Sequence, residues 1–180
     1  MNFLTAMHLA SRLVFGLLLA VAALILAAGL VLLVRSPGKP KPFLDGSGAP
    51  VPGSISEKGK TLVRGAELGY FIKGRDEKNP VLLYLHGGMP DYFLTERYPT
   101  ALDEIFTVAW LDLRGAGRSF DPRRDTGTAA LEDWVADAAA FSDQLRARFG
   151  QDRIYLMGRS GGTYLAVKLI EAYPEAFAAY

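Results

Sequence analysis

At 180 residues, half of them apolar, the chain is long enough for one domain with a real core. A net charge of +1, with no basic stripe interleaved with aromatics, excludes a polyanion-binding protein, so no nucleic-acid partner is expected. The absence of cysteine excludes disulfides and thiol chemistry and leaves the redox compartment open.

Leu13 to Val34 is an apolar run interrupted only by Gly16 and Gly29, with Arg12 before it and Arg35 after it. Its length matches the roughly 20 residues a helix needs to cross the hydrocarbon core. The rival reading is a cleaved secretory signal ending at Ala27-Ala28-Gly29. A signal's apolar region is usually about 7–15 residues, however, and here the run continues through Leu30 to Val34. The expectation for 1–35 is an N-terminal segment with an uncleaved single-pass membrane anchor at 13–34. Arg12 and the α-amine before the span nearly balance Arg35, Lys39 and Lys41 after it, so the side on which the rest of the chain lies is left open.

Residues 36–59 are rich in proline and glycine and poor in apolar side chains, which predicts an extended, semi-stiff linker; the alternative is a structured loop around Phe43-Leu44. The globular part is expected over 60–180. Lys60–Arg64 and Glu67–Ile72, joined at Gly65-Ala66, read as an antiparallel hairpin. Pro80–Leu85 and Ile105–Leu111 read as buried strands, each ending in a glycine-rich loop. Thr128 is expected to cap a long helix that ends at Gly150, with Leu131, Trp134, Val135, Ala138, Phe141, Leu145 and Phe149 on one face. That aromatic stripe is core rather than a cofactor box. Ile154–Met157 is a further buried strand, followed by a helix running to the stop at Tyr173-Pro174. Apolar strands alternating with helices predict a mostly parallel α/β sheet with helices on both faces.

The chemistry gathers where these strands end. Gly158-x-Ser160-x-Gly162 stands between a strand and a helix, as in a nucleophile elbow, where a sharp, strained turn needs small flanking residues. Ser160 is the candidate nucleophile. The N–H of Gly161 and that of Gly88, in the loop after the first parallel strand, are the candidate oxyanion donors. His86, which opens that loop with Gly87, is read as its brace and not as the catalytic base. Asp112 and Arg114 are read as a structural pair fixing the second loop, with Gly115 and Gly117 at its bends. Asp91 could meet a substrate amine or simply be solvated, and Arg159 could bind an acidic group or be solvated. No cluster of His, Cys and carboxylates stands at metal-ligand spacing, and no cofactor is implied.

Three motifs in this order, His86-Gly87-Gly88, Asp112-x-Arg114-Gly115-x-Gly117-Arg118-Ser119 and Gly158-x-Ser160-x-Gly162, resemble the α/β-hydrolase superfamily. Within it the chain is most similar to proline iminopeptidase and its relatives, over roughly Thr61 to Tyr180. It departs from their pattern at Pro90, one place late in the oxyanion loop, and at Gly161, where those peptidases usually carry tryptophan. The resemblance implies an α/β-hydrolase fold of which 60–180 is the N-terminal half. The acid, the base and the helical cap that chooses the substrate are then expected after Tyr180. The implied activity is acyl-enzyme hydrolysis of an ester, amide or peptide bond, with a triad incomplete in this stretch. The competing class is a non-catalytic, membrane-tethered hydrolase-like binding module or inactive fragment.

Overall fold

The computed structural model describes residues 3–35, 38, 40–124 and 129–180, which form two units, Met1–Gly38 and Lys39–Tyr180. The first unit is helix α1 (Phe3–Arg35). Within it Ser11–Val34 has a mean hydropathy of 3.1 and none of its side chains is buried by protein. Exposed Leu17, Leu18 and Leu19, each turned by about 100° from the last, point in different directions around the axis, so the helix has no polar face to suit a soluble packing. By length and composition it is able to cross a membrane.

The second unit is built on a six-stranded sheet: β1 (Ile55–Val63), β2 (Ala66–Gly74), β3 (Val81–Leu85), β4 (Thr107–Leu111), β5 (Ile154–Gly158) and β6 (Phe177–Ala179), in the order β1-β2-β4-β3-β5-β6. The first two strands form an antiparallel hairpin whose second strand runs antiparallel to β4; β3 is parallel to β4 and β5, and β6 is parallel to β5. The hairpin turns at Arg64-Gly65, one residue earlier than expected. Its two-residue loop puts both residues at positive φ, 46° and 80°, which glycine accepts freely and Arg64 accepts while its guanidinium holds Asp137. Strand β1 also starts earlier than Lys60. Gly59 lies opposite Tyr70, and the Tyr70 ring fills the space a side chain would have taken, so a glycine assigned to the linker's end sits inside the ladder.

The alternation of the buried strands sends Val81, Leu83, Leu85, Ala109 and Leu111 to one face, and Leu82, Tyr84, Val108 and Trp110 to the other. The first face is covered by α4 (Leu131–Phe149) and α5 (Gly161–Ala172), through Ala138, Phe141, Leu145, Leu165 and Leu169. The second meets the short helices α2 (Tyr92–Arg97) and α3 (Leu102–Ile105), with the Tyr92 ring stacked on Phe71 and edge-on to Trp110. Ile105, expected in a strand, instead ends α3 and is exposed, and β4 begins two residues later. Gly150 closes α4 in the left-handed conformation. Ala130 occupies the N-cap of α4, and Thr128, the expected cap, lies outside the described residues.

Of the proline- and glycine-rich stretch, residues 40–54 lie against this unit. The Phe43 ring sits 4.9 Å from the Lys73 ammonium, Leu44 bridges Pro50, and Pro40 accepts a hydrogen bond from the Ser56 hydroxyl.

Candidate active site

Strands β3, β4 and β5 end side by side, so their three following loops meet at the carboxyl edge of the sheet, the usual place for chemistry in an open α/β fold. Ser160 stands between β5 and α5 at φ 53°, ψ −124°, a region that costs a non-glycine residue about 1–3 kcal/mol and persists only where its surroundings impose it. Its neighbours impose it. A Cβ on Gly158 would lie 2.4 Å from the Gly162 carbonyl oxygen, and one on Gly162 would lie 2.2 Å from that of Leu85. Strand and helix therefore touch backbone to backbone. The Arg159 N–H donates to the Leu85 carbonyl at 3.0 Å, tying the turn to β3, and the Thr163 N–H donates to the Ser160 carbonyl. The Ser160 residue itself is exposed.

Gly87 lies directly over this turn. A Cβ there would be 2.8 Å from the Ser160 Cβ and 3.2 Å from the Gly161 nitrogen. Gly161 is the first residue of α5, so its N–H has no acceptor within the helix. Next to Gly88 there is open space, with no atom within 4 Å of where a Cβ would stand.

His86 is buried, and both its ring nitrogens are used. Its Nε2 accepts the Leu113 N–H at 3.1 Å, which requires the proton to sit on Nδ1, and Nδ1 lies 2.8 Å from the Gly87 carbonyl that accepts it. It thus ties the first loop to the second.

The second loop is held by side chains. The Asp112 carboxylate, buried, accepts the Arg118 N–H at 2.8 Å. Ser119 donates to the Asp112 carbonyl and accepts the Gly69 N–H from β2. Burial pushes the Asp112 carboxyl above its ordinary pKa; the Arg118 N–H and His86 oppose the shift and the Asp91 charge adds to it. Gly117, at φ +48°, leaves room for Pro90 of the first loop, whose Cγ would be 2.7 Å from any Cβ there.

Two sequence expectations need correction. Arg114 makes its ion pair with Asp137 of α4 and not with Asp112: Nε and Nη2 reach the two carboxylate oxygens at 2.7 and 2.8 Å. Asp137 is buried and also takes Arg64, so one carboxylate fastens the hairpin turn and the second loop to α4. Its signal was an acid on the apolar face of that helix, between Trp134 and Phe141. Asp91, expected to be solvated or free for a substrate amine, is buried. It accepts from the Tyr84 hydroxyl at 2.9 Å and from Nη1 of Arg159. Burial and then the Asp91 bond push the Tyr84 phenol up to about 12, while Asp91 raises the Arg159 guanidinium.

Among the described residues no group of three or more His, Cys, Asp or Glu is placed to hold a metal ion. His8, the second histidine, is on α1.

Residues 76–180 match the family described as Serine aminopeptidase, S33. The Probable aminopeptidase YbaC of Bacillus subtilis is 34% identical over 111 residues, which are 61% of this chain and 35% of that protein. The crystal structure of a proline iminopeptidase-related protein from Thermus thermophilus is similar with a TM-score of 0.57 at 30% identity, over 68% of this chain and 42% of that one. A membrane phospholipase A, described as a bacterial virulence factor, has a TM-score of 0.56 at 27% identity, over 97% of this chain and 49% of that one. The chain thus spans about a third to a half of the length of these relatives.

Proposed function

Because the chain belongs to the serine aminopeptidase S33 family of α/β-hydrolases, we propose that the protein is a membrane-anchored serine hydrolase that cleaves an amide or ester bond through an acyl-enzyme on Ser160. The observation that carries this reading is the strained, exposed Ser160 between β5 and α5, with the Gly161 N–H beside it and Gly87 over it.

The Ser160 Oγ bonds to the carbonyl carbon as its proton passes to a general base, and the carbonyl π pair becomes an oxyanion. The N–H groups of Gly161 and Gly88 receive that charge, and the start of α5 adds its dipole. Collapse expels the amine or alcohol, which takes the proton; water then attacks the ester, displaces Ser160 and leaves the acid. In this fold the acid and then the histidine follow the nucleophile in chain order. His86 does not fill that role, since both its nitrogens are committed to backbone groups.

The family and the aminopeptidase relative favour an N-terminal amino acid substrate. Helix α1 and the phospholipase likeness favour a second reading, a lipid ester taken at the membrane surface. The test is fluorophosphonate labelling of the full-length protein in membranes, followed by turnover of aminoacyl-naphthylamide and lysophospholipid substrates. We expect one adduct, on Ser160, and loss of both labelling and turnover in Ser160→Ala. Turnover that survives in Ser160→Ala overturns the reading, and the absence of any labelling or turnover in the wild type supports a binding module instead.

A further inference from the structure

The oxyanion loop runs from His86 to Pro90, and its second and third residues are glycines with no side chain to anchor them. An oxyanion hole works only when its donors are already aimed at the developing charge, so something must hold this loop at a set distance from Ser160. One residue touches both ends of it. The Arg159 N–H is bonded to the carbonyl of Leu85, the residue before the loop, and the Arg159 guanidinium is paired with the carboxylate of Asp91, the residue after it. Arg159 immediately precedes Ser160.

Asp91 is built for this contact rather than for a helix cap. It stands at the N-cap of α2, where an aspartate commonly accepts a first-turn N–H, yet its side chain makes no such bond. The carboxylate is instead turned inward, 4% exposed, with Oδ2 shared by Tyr84 and Arg159 and Oδ1 without a partner. A buried carboxylate so sparsely bonded depends on its cation. Tyr84 is itself fixed in the second core beside Trp110, on the strand that leads into the loop.

We propose that Arg159, Asp91 and Tyr84 form a strap that sets the oxyanion loop against the nucleophile, making Arg159 and Asp91 positioning residues for the reaction. The inference rests on the hydrolase reading of Ser160. The guanidinium pairs across the loop to Asp91, so its charge is matched there, and the same contact leaves the space above Gly88 open for a substrate.

Misplacement of a reacting group by about 1 Å costs on the order of 100-fold in rate. In the full-length protein, Arg159→Gln and Asp91→Asn are each expected to lower kcat about 10- to 100-fold with KM within about two-fold, and the double variant is expected to be no worse than either single one. Affinity for a boronic acid transition-state analogue should fall in the same proportion, and Arg159→Lys should recover part of the loss. If Arg159→Gln, which leaves the buried Asp91 carboxylate without its cation, fails to fold, Asp91→Asn still decides the matter, because the Arg159 side chain it leaves unpaired is half exposed. An unchanged kcat in Arg159→Gln, a loss confined to KM, or additive losses in the double variant overturn the strap. Ser160→Ala is run alongside: if it alone abolishes turnover while Arg159→Gln is indifferent, only the strap fails, and if it leaves turnover intact the hydrolase reading fails and the strap with it.

Discussion

The loops after β5 and after β4 stand at the same edge of the sheet, on either side of β3, and they are held in place by opposite means. At the elbow the contacts are between backbones: Gly158, Gly87 and Gly162 are glycines because neighbouring main-chain or Ser160 atoms occupy the space a Cβ would need. In the β4 loop, side chains do the holding, with Ser119, Asp112 and His86 each hydrogen-bonded to main-chain groups of β2 or of the loop itself. The turn at Ser160 has little space for side chains, so it is fixed by close packing and strain. A loop that only supports it can be fixed by a polar network. The first is intolerant of added volume and the second of lost partners.

That contrast is open to test by substitution. The largest effect is expected from Gly162→Ala, whose methyl would sit 2.2 Å from the Leu85 oxygen and 2.6 Å from that of His86, two main-chain atoms that cannot rotate away. Separating α5 from β3 should cost more than about 4 kcal/mol in chemical denaturation, or abolish folding; a loss under about 1 kcal/mol would show that the elbow has slack. Ser119→Ala should cost about 1–3 kcal/mol, because the Gly69 N–H is left buried without an acceptor. Fluorophosphonate labelling of the folded variant should persist, since Ser119 supports the site without facing it.

The smallest effect concerns pH. The folded state raises the Asp112 carboxyl above its ordinary value of 3.8, so it keeps that proton to higher pH than the unfolded chain does. The native state then binds more protons, and this group's contribution to stability falls as pH rises from 3.8 to the higher folded value, staying level above it. Asp112→Asn removes that slope. Its denaturation midpoint should decline less than that of the wild type between about pH 4 and 7, and an equal decline in both would assign the slope to other groups.

Much of the arrangement was legible in the sequence because local pattern governs it. The apolar run at 13–34 appears as helix α1, the stripe from Leu131 to Phe149 packs on the core, and Gly158-x-Ser160-x-Gly162 lies between a strand and a helix. Less legible were the places where a local cue met a distant side chain. Gly59 read as the end of a linker, and the Tyr70 ring from the next strand keeps it in β1. Residues 36–59 read first as an extended linker because proline and glycine dominate them, and it was the alternative, a structured loop around Phe43-Leu44, that matches the Phe43 ring meeting a cation on β2.

By itself the sequence determined the order of the motifs, the long apolar helix and the alternation of strands and helices, since each depends on residues within one or two turns or strands of each other. Only the tertiary structure decided which charges pair. Arg114 reached across to Asp137 rather than to Asp112, and Arg159 reached over the loop after β3 to Asp91. Such choices depend on helix phase and strand register, which bring together groups 23 and 68 positions apart in the chain, and on burial, which makes a carboxylate take whichever cation arrives.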